Sequence, residues 1–392
     1  MSAALTEQDG DADWRRVRGL WPLDPHVAHL NHGSYGAVPL PVQREQDRWR
    51  ARMDANPVRF FRREWQPAVE QARLRAAAFL NADPDGLALV PNATAGAGAV
   101  LAAHPLAPGD EVLVTDHGYG AVTGAVRRAC ARVGARTVTA SIPLTATPEQ
   151  VCAAVLDAVG PHTRLAVLDQ VTSPTARLLP VERLVPALQS LGVAVLVDAA
   201  HSPGMLPVDL SALRPDFWTG NFHKWVCAPR GAAALWVARR HRAALPAPVV
   251  SWREDEGYPY SFSMPGTADS SAILALPAAL ALFDELGGLP QLRARNNALA
   301  GYGQSLLAQA LGLGPADFPQ EPELSMGALP LPKGLTGADR VQMLIADRAG
   351  AETAVSDWQG RLVLRVSAHV YNRPQEYERL ALALPALLGR SG

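Results

Sequence analysis

A lysine stands inside an aromatic and apolar stretch, D-F-W-T-G-N-F-H-K-W-V-C-A-P-R-G, which runs from Asp216 to Gly231. Lys224 follows His223 and precedes Trp225, so its ammonium group would be difficult to hydrate there. Loss of hydration disfavours the charged form, lowers the pKa of a lysine and leaves a neutral amine that can attack a carbonyl carbon. The alternative interpretation is an ordinary lysine with a buried alkyl stem and a head in water.

A glycine-bearing segment, N-A-T-A-G-A-G from Asn92 to Gly98, could bind an anion. It follows an apolar run at residues 87–90 and precedes residues with a helical pattern. Small side chains let backbone N–H groups approach a ligand, and the N-terminus of a helix favours negative charge. The segment therefore suits a phosphate group, although an asparagine at this place can also be a simple helix cap.

Two acidic residues are predicted to end buried strands. Asp198 closes the run in V-L-V-D-A-A-H, with His201 three residues later, and L-D-Q-V-T-S-P-T carries Asp169, Gln170 and Thr172. Burial of a carboxylate is costly unless a cation accompanies it, and a protonated pyridine nitrogen would be such a cation for Asp198. A carboxylate that caps the following turn is the alternative.

Arg365 begins the segment R-V-S-A-H-V-Y-N within a β-branched strand. A guanidinium group can hold a carboxylate through two parallel hydrogen bonds, although a structural ion pair is the usual role of a single arginine. Lys224, Asp198, the 92–98 segment and Arg365 together supply an imine-forming amine, a partner for a pyridinium nitrogen, a phosphate site and a carboxylate clamp. That combination predicts pyridoxal 5'-phosphate as the cofactor and an amino acid as the substrate.

The composition narrows the class of protein. The 392 residues carry 36 basic and 37 acidic side chains, a net charge of −1, so neither nucleic acid nor a membrane is expected as a partner. The 3 cysteines have no disulfide or zinc-ligand spacing, which predicts no metal site and a reducing, cytoplasmic location. The first residues include several acids and no apolar core of a secretory signal, and the longest apolar run, at 272–283, is too short to span a membrane.

The elements that would position these residues follow an alternating pattern. Short apolar runs are separated by helix-like segments, which predicts an α/β fold with a mainly parallel sheet flanked by helices. Ligands bind beyond the carboxyl ends of such strands, where the polar residues described above fall. The character changes near residue 270, so we predict an N-terminal arm at 1–20, a large cofactor-binding domain at 21–269 and a smaller C-terminal α+β domain at 270–392.

The same segments resemble class V enzymes of the fold-type I pyridoxal-phosphate group, and within them the isopenicillin N epimerase-like branch. The matching stretches run from residue 30 to about 372 and cover most of the chain: L-N-H-G-S-Y-G, N-P-V-R-F-F, T-D-H-G-Y-G-A, D-Q-V-T-S-P-T, V-D-A-A-H-S-P-G, G-N-F-H-K-W-V-C-A-P-R-G and R-V-S-A-H-V-Y-N. The resemblance implies a seven-stranded type of sheet, a Schiff base between Lys224 and the cofactor aldehyde, and an ion pair of Asp198 with the ring nitrogen.

The resemblance assigns further residues to the cofactor and to the substrate. Those expected to meet the phosphate are Ala93, Thr94, Ala95, Asn221 and His223. Those expected around the ring are Tyr119, which would stack on it in preference to His117, and Gln170 and His201, near its oxygen. Those expected to bind or surround the substrate are Asn31, His32 and Arg365.

Enzymes of this branch are usually homodimers in which the loop that corresponds to Gly266 and Thr267 reaches the phosphate in the neighbouring subunit. We therefore expect a homodimer whose active site is completed by the neighbouring subunit. One departure stands in that loop, because relatives often read W-Q-G-T-R-D where this chain reads M-P-G-T-A-D. Ala268 removes a positive charge at the expected mouth of the site, so the resemblance alone does not identify the substrate.

The residues also separate the reactions open to such a site. Cysteine desulfuration needs a thiol on the loop before the carboxylate-binding arginine, and residues 350–364 contain none. β-Elimination from a cysteine S-conjugate needs Lys224 as its only base, whereas epimerisation needs a second acid, for which His32, Tyr35 and Tyr119 are candidates. We expect a C–S lyase of small-molecule, specialised metabolism. An isopenicillin N-type epimerase is the alternative, followed by an aminotransferase and a binding module without turnover.

Overall fold

The computed structural model describes residues 16–389, in which strands and helices alternate along the chain. The strands are β1 (Ala28–His29), β2 (Leu87–Val90), β3 (Glu111–Thr115), β4 (Arg136–Ala140), β5 (Thr163–Asp169), β6 (Ala194–Asp198), β7 (Phe217–Asn221), β8 (Ala233–Val237), β9 (Met326–Pro330), β10 (Ala351–Glu352), β11 (Ala354–Trp358) and β12 (Arg361–Ser367). The helices are α1 (His32–Tyr35), α2 (Leu40–Ala55), α3 (Pro57–Arg59), α4 (Trp65–Phe79), α5 (Ala93–Ala103), α6 (Gly120–Val133), α7 (Pro148–Asp157), α8 (Val181–Ser190), α9 (Leu210–Leu213), α10 (Arg239–Arg242), α11 (Ser271–Leu274), α12 (Leu276–Glu285), α13 (Leu289–Ala310), α14 (Ala338–Ala349) and α15 (Pro374–Leu387).

Seven strands form a central sheet in the order β2-β8-β7-β6-β5-β3-β4. Neighbouring strands are parallel except at β8, which runs antiparallel to both β2 and β7. The connections between the parallel strands contain helices, which pack on the two faces of the sheet. The predicted α/β fold, a mainly parallel seven-stranded sheet flanked by helices, is confirmed.

Alternate residues of the central strands face two different cores. In β5, Leu165 and Val167 pack with α5 and α6 on one face, whereas Ala166 and Leu168 pack with α7 and α8 on the other. Because both faces are covered, the strand reads as a continuous apolar run. The direction of each side chain at the end of β5 therefore follows from its position in this alternation.

A second, smaller sheet is antiparallel, has the order β11-β12-β9 and packs with α13, α14 and α15 around a separate core. An N-terminal segment joins this part, since β1 pairs in parallel with β10, with Ala28 opposite Ala351, and Leu30 lies in the same core. The domain division at residues 269 and 270 stays a prediction. Residues 1–15 of the predicted N-terminal arm lie outside the described residues.

The carboxyl ends of the parallel strands meet at one edge of the central sheet. Asp169 ends β5, Asp198 ends β6 and Asn221 ends β7, and Asp169 and Asp198 are paired in register. This edge is where an α/β sheet binds its ligands. Within residues 16–389, no single helix is long and apolar enough to cross a membrane, although Ser271–Glu285 and Leu289–Ala310, which meet at 78°, have sufficient length and apolarity as a pair.

Candidate active site

A cavity of about 450 Å³ opens at the carboxyl edge of the central sheet. Its walls come from α1 and from the segments that follow β2, β3, β5, β6 and β7. The residues that line it are Ser34, Tyr35, Asn92, Ala93, Thr94, Tyr119, Ala121, Asp169, Val171, Ser173, Asp198, Ala200, His201, Asn221, His223 and Lys224. Its volume suits a small-molecule ligand, since ligand pockets usually measure about 300–1,000 Å³.

Lys224 lies in the loop after β7, and its side chain is buried in the cavity wall. The Lys224 Nζ is 3.1 Å from His201 Nε2. Burial, and next the positive charge of Arg365, lower the pKa of Lys224 to about 7, against the opposing charges of Asp198 and Asp169. A neutral amine is therefore present near neutral pH, and this is the form that can attack a carbonyl carbon or remove a proton.

The backbone of Lys224 is fixed from the side away from the cavity. His32 Nε2 is 3.0 Å from the carbonyl oxygen of Lys224, and His32 Nδ1 is 2.8 Å from the hydroxyl of Tyr371. Because a carbonyl oxygen only accepts, Nε2 carries the proton and Tyr371 donates to Nδ1. His32 is fully buried and does not line the cavity. The sequence predicts His32 in the substrate pocket, but the structure places it behind the lysine as a support.

Glycine at position 36 allows this support to approach the lysine loop closely. Gly36 has a φ of +67°, and a Cβ there would lie 1.9 Å from the carbonyl oxygen of His223. Arg230 Nη2 donates a 3.1 Å hydrogen bond to the carbonyl oxygen of Gly36. Only glycine adopts this backbone conformation without strain. Gly36, the last residue of L-N-H-G-S-Y-G, therefore allows the N-terminal segment to pack against the loop of Lys224.

Asp198 is buried and faces the cavity from the end of β6. Its Oδ1 accepts a 3.0 Å hydrogen bond from the N–H of Ala200, whereas its Oδ2 has no hydrogen-bond partner within residues 16–389. Burial raises the pKa of Asp198, and the hydrogen bond from Ala200 and the charge of Lys224 act in the opposite direction. A buried carboxylate oxygen without a partner at a cavity fits the protonated nitrogen of a pyridine ring.

Asp169 is a second buried carboxylate in the cavity, to which the sequence interpretation assigns no role. It accepts a 3.3 Å hydrogen bond from the N–H of Tyr119. Burial, and next the charge of Asp198, raise the pKa of Asp169 well above its usual range. The sequence could have indicated Asp169 by its position: it directly precedes Gln170 and ends a strand, β5, that pairs with β6, the strand that ends at Asp198.

Gln170 is predicted near the ring oxygen, but its side chain lies on the opposite face of β5 from Asp169. Gln170 Nε2 donates a 3.4 Å hydrogen bond to Glu182 Oε1 on α8. Successive residues of a strand point to opposite faces, so Asp169 and Gln170 cannot both face the cavity. His201, the other residue predicted near the ring oxygen, does line the cavity.

The phosphate-binding segment forms the N-terminus of α5 at the cavity. Asn92 caps the helix by accepting a 2.8 Å hydrogen bond from the N–H of Ala95, and the N–H of Ala93 donates to Asn221 Oδ1 at 2.8 Å. Ala93 and Asn221 line the cavity, whereas Ala95 does not. Asn92 therefore acts as the helix cap that the sequence also allows, and the cap leaves the positive end of the helix dipole directed at the cavity.

Thr94 and His223 complete this end of the cavity. Both line it, and His223 Nδ1 is buried without a hydrogen-bond partner in the described part of the chain. Burial, and next the charge of Lys224, lower the pKa of His223 to about 4, so the imidazole is neutral at neutral pH. A helix N-terminus with an unpartnered histidine and a threonine fits a phosphate group.

Arg365 lies in β12 and reaches the cavity wall at Ser34 and Ser173, both of which line the cavity. Its Nη1 donates to the carbonyl oxygen of Ser173 at 2.5 Å, and its Nη2 donates to Ser34 Oγ at 3.0 Å and Asn31 Oδ1 at 3.1 Å. Burial lowers the pKa of Arg365 to about 10, and its Nε has no hydrogen-bond partner among residues 16–389. A buried guanidinium held only by neutral groups fits a substrate carboxylate, with Asn31 orienting it.

Of the remaining residues predicted to contact the cofactor, Tyr119 lines the cavity, whereas His117 and Thr267 do not. Tyr119 lines the cavity and is 42% exposed, as expected for a ring that would cover a bound ligand. His117, the less favoured stacking residue, is fully buried outside the cavity with its Nδ1 2.6 Å from Thr175 Oγ1. Thr267 does not line the cavity either, so a contact with the phosphate would have to be made in a neighbouring subunit.

Cys227 is three residues from Lys224 but lies behind it, fully buried. Its Sγ is 3.5 Å from His369 Nε2 and 3.8 Å from His32 Nε2, and burial raises its pKa, so the thiol stays protonated. These three side chains are the one group of potential metal ligands in the described chain, with ligand atoms within 4.8 Å of one another. Both ring nitrogens of His32 already bond to Tyr371 and Lys224, so we interpret the group as hydrogen-bonded core.

Comparison with known proteins agrees with this geometry. The family model described as Aminotransferase class-V matches residues 39–380. The isopenicillin N epimerase of Streptomyces clavuligerus is 35% identical over 397 residues, which cover 96% of this chain and 99% of that protein. The isopenicillin N epimerase of Amycolatopsis lactamdurans is 35% identical over 395 residues, covering 95% of this chain and 98% of the relative. An L-cysteine desulfhydrase of Arabidopsis thaliana is 28% identical over 428 residues, covering 99% and 92% of the two chains.

Solved structures share the fold at lower identity. A mutant of C-DES with glycine covalently linked to the PLP cofactor superposes with a TM-score of 0.80 at 21% identity, covering 95% of this chain and 99% of that one. The complex between the cystine C-S lyase C-DES and its product cysteine persulfide has a TM-score of 0.78 at 21% identity, covering 94% and 99%. These similarities show a common fold.

Proposed function

The chain belongs to the class V aminotransferase family of pyridoxal-phosphate enzymes, and we propose that it is a C–S lyase that carries out β-elimination on a cysteine S-conjugate. Pyridoxal phosphate, when bound, supplies an electron-withdrawing ring that takes up negative charge from Cα of an amino acid. The cavity suits this group because Asp198 offers an unpartnered carboxylate oxygen and α5 a helix N-terminus. Lys224 offers the amine.

The observation that carries the proposal is the buried amine of Lys224 at the cavity, which can serve as the base. Lys224 has a pKa of about 7 and its Nζ is 3.1 Å from His201. Burial, and next the charge of Lys224, hold the pKa of His201 well below its usual range, so the ring is neutral. Its Nδ1 accepts from Trp225 Nε1 at 3.5 Å, so Nε2 carries the proton and donates to the amine of Lys224, which orients that amine. His32, a candidate for the second acid of an epimerase, is fully buried behind the lysine loop and bonds to the carbonyl oxygen of Lys224. One base is sufficient for elimination.

The chain's own residues can then be given roles. Arg365 holds the substrate carboxylate, which directs the Cα–H bond towards Lys224. The amine of Lys224 takes the Cα proton, and the electron pair of that bond forms a Cα–Cβ double bond as the Cβ–S bond breaks. The sulfur leaves with the electrons of the C–S bond and takes up a proton as a thiol. The released enamine hydrolyses to pyruvate and ammonium.

An amino-acid epimerase is the second candidate. Two relatives with 35% identity over almost the whole chain are isopenicillin N epimerases. Tyr119 and Tyr35 line the cavity, and Tyr35 is 71% exposed at its mouth. A tyrosine hydroxyl across the substrate from Lys224 could return a proton to the opposite face of Cα. This candidate therefore depends on one of these two hydroxyls.

We further propose a homodimer in which the loop of Thr267 contributes to the neighbouring active site. The N–H of Trp252 bonds to the carbonyl oxygen of Met264 in this loop, and Trp252 and Val250 are 87% and 75% exposed. Large apolar side chains with this exposure suit a surface that a second subunit covers. A division into domains at residues 269 and 270 and a reducing, cytoplasmic location are part of the same proposal. All three cysteines are free and buried, which agrees with that location.

The test of the lyase uses the two lysines of the chain, Lys224 and Lys333. Holoenzyme is incubated with a cysteine S-conjugate, and thiol and pyruvate are measured together; equal amounts of both are expected. Borohydride reduction followed by peptide mass spectrometry is expected to find the cofactor on Lys224. Lys333→Ala, which changes an exposed lysine, should retain both results, whereas Lys224→Ala should lose both. Absence of thiol and pyruvate from cofactor-loaded wild type would contradict the lyase.

A further inference from the structure

A second cavity, of about 530 Å³, lies on the opposite side of His32 from the lysine loop. It lies between the N-terminal segment around Arg18 and His29 and the start of α15, and it is open to solvent. Tyr371, the residue that donates to His32, forms part of its wall. None of the residues assigned above to the cofactor or the substrate lines it, so it is separate from the active-site cavity.

Two basic side chains in this wall carry buried polar atoms without partners. Arg18 is half-buried, and its Nε and Nη1 have no hydrogen-bond partner among residues 16–389. His29 Nε2 is buried without a partner within the same residues. Guanidinium nitrogens can only donate, and burying a charged donor without an acceptor is costly. Arg18 therefore has donors without an acceptor beside the cavity, and the neutral ring of His29 adds one when its Nε2 carries the proton.

The charge of the wall favours a negative acceptor. The lining contains the guanidinium groups of Arg18, Arg373 and Arg379 against the carboxylates of Asp24 and Glu376. Both carboxylates bond to nearby groups of their own segments. Asp24 Oδ1 accepts from the N–H of His26, and Glu376 Oε2 accepts from Asn372 Nδ2 and from the N–H of Arg373.

We propose that this cavity is a second ligand site, which binds an oxyanion, either a phosphate or a carboxylate group, through Arg18 and His29. Arg373 and Arg379, which are exposed, add positive charge at its rim. A guanidinium N–H can donate a charge-assisted hydrogen bond to an oxygen of either group. The volume holds a small organic acid or phosphate ester. This inference does not depend on the reaction that the active site catalyses.

Two hydrogen bonds connect the wall of the second cavity to the backbone of the catalytic lysine. Tyr371 lies in the wall of the cavity, and its hydroxyl is 2.8 Å from His32 Nδ1, whose Nε2 is 3.0 Å from the carbonyl oxygen of Lys224. His29 also stands beside Tyr371, with ring centroids 5.9 Å apart. An oxyanion bound by Arg18 and His29 would thus contact the same wall that supports the lysine loop.

Isothermal titration of the holoenzyme with inorganic phosphate, and separately with malonate, tests the proposal. We expect saturable binding of one anion per chain, and the tighter of the two identifies phosphate or carboxylate as the preferred group. Arg18→Gln should weaken this binding at least about tenfold, since a charge-assisted hydrogen bond to a buried group is lost. Arg18→Lys, which keeps the charge, should restore part of the affinity.

Two further variants separate this site from other sources of binding. Arg16→Gln alters an exposed arginine that does not line the cavity, so it should bind as wild type does. Arg365→Gln alters the substrate site and should also retain the anion, because the second cavity is intact. Equal affinity of wild type and Arg18→Gln, loss of binding in Arg365→Gln alone, or no saturable binding of either anion to wild type would overturn the proposal.

Discussion

Asp169 and Asp198 stand opposite each other in register on two neighbouring parallel strands, and both carboxyl groups are buried at the same cavity. Burial raises the pKa of both groups, and the charge of Asp198 raises that of Asp169 further. Lys224 is the basic group whose charge opposes these shifts. The two carboxyl groups therefore cannot both ionise without a cost in folding free energy at the place where a pyridinium nitrogen would be held.

Asp169→Asn should stabilise the cofactor-free protein at pH 7 to 8. The carboxyl pKa is raised in the folded state, whereas it is about 3.9 in an unfolded chain. Above that value the unfolded chain releases a proton that the folded chain retains, so folding stability falls as pH rises. Asparagine removes this loss and can still accept from the N–H of Tyr119, so we expect a gain of about 1–3 kcal/mol.

Urea unfolding of the cofactor-free protein at pH 5 and pH 8 measures this effect. The gain should be larger at pH 8 than at pH 5. Asp157→Asn, which changes an exposed acid on α7, should leave the free energy of unfolding unchanged within about 0.5 kcal/mol at both values. A variant Asp169→Asn that is less stable than wild type at pH 8 would show that the carboxylate is needed in its charged form.

The pH dependence of kcat should report the amine of Lys224. Its pKa is about 7, and the neutral amine is the active base, so kcat should rise as pH increases through about 7 and then level off. Steady-state rates from pH 5.5 to 9 in buffers of constant ionic strength measure this. Lys224→Ala should lower kcat by about a hundredfold to ten-thousandfold. A rate that falls as pH rises through 7 would be inconsistent with a neutral amine as base.

Arg365→Gln should weaken substrate binding and also move the pH profile. Loss of a buried partner for the substrate carboxylate costs about 2–5 kcal/mol, so KM should rise at least about thirtyfold. The charge of Arg365 lowers the pKa of Lys224, so its removal should shift the rising limb of the kcat profile to higher pH. Arg361→Gln, on the same strand, serves as the control because its Nε bonds to the carbonyl oxygen of Leu331, away from the cavity. A raised KM without a shift of the rising limb would show that the charge of Arg365 does not lower the pKa of Lys224.

Cys227→Ala should retain activity within about threefold of wild type. The thiol is fully buried behind Lys224, and burial raises its pKa, so it is not available as a nucleophile. Thiol release from the S-conjugate is the measurement, with visible absorbance as a check that the cofactor is bound. A loss of activity in a variant that still binds the cofactor would contradict this account and assign Cys227 a part in the reaction.

The sequence was informative where chemistry and local structure coincide. Lys224 stands in an aromatic stretch and Asp198 at the end of an apolar run, so each can be recognised from its neighbours. Asn92 opens a helix after a strand, and the structure makes it the cap at the cavity. The alternation of apolar runs and helical segments predicts the parallel sheet because each such strand needs a crossover to return to the same direction.

The direction of individual side chains could not be predicted in the same way. Asp169 and Gln170 are adjacent polar residues after an apolar run that is buried on both faces, so no alternation in the sequence shows which one turns to the cavity. His32 presents a similar case, since it precedes Ser34 by one short turn. Ser34 lines the cavity, whereas His32 points to Tyr371 and the backbone of Lys224. Contacts with residues distant in the sequence determine both outcomes.

Proton NMR of the holoenzyme in D₂O with an L-cysteine S-conjugate tests the central claim most directly, because it follows Cα and the products together. The lyase account predicts that substrate disappears as thiol and pyruvate form in equal amounts, while the remaining substrate keeps its L configuration. A remaining amino acid that gains deuterium at Cα and loses its handedness, without thiol or pyruvate, would contradict the lyase and identify Tyr35 or Tyr119 as the acid to examine.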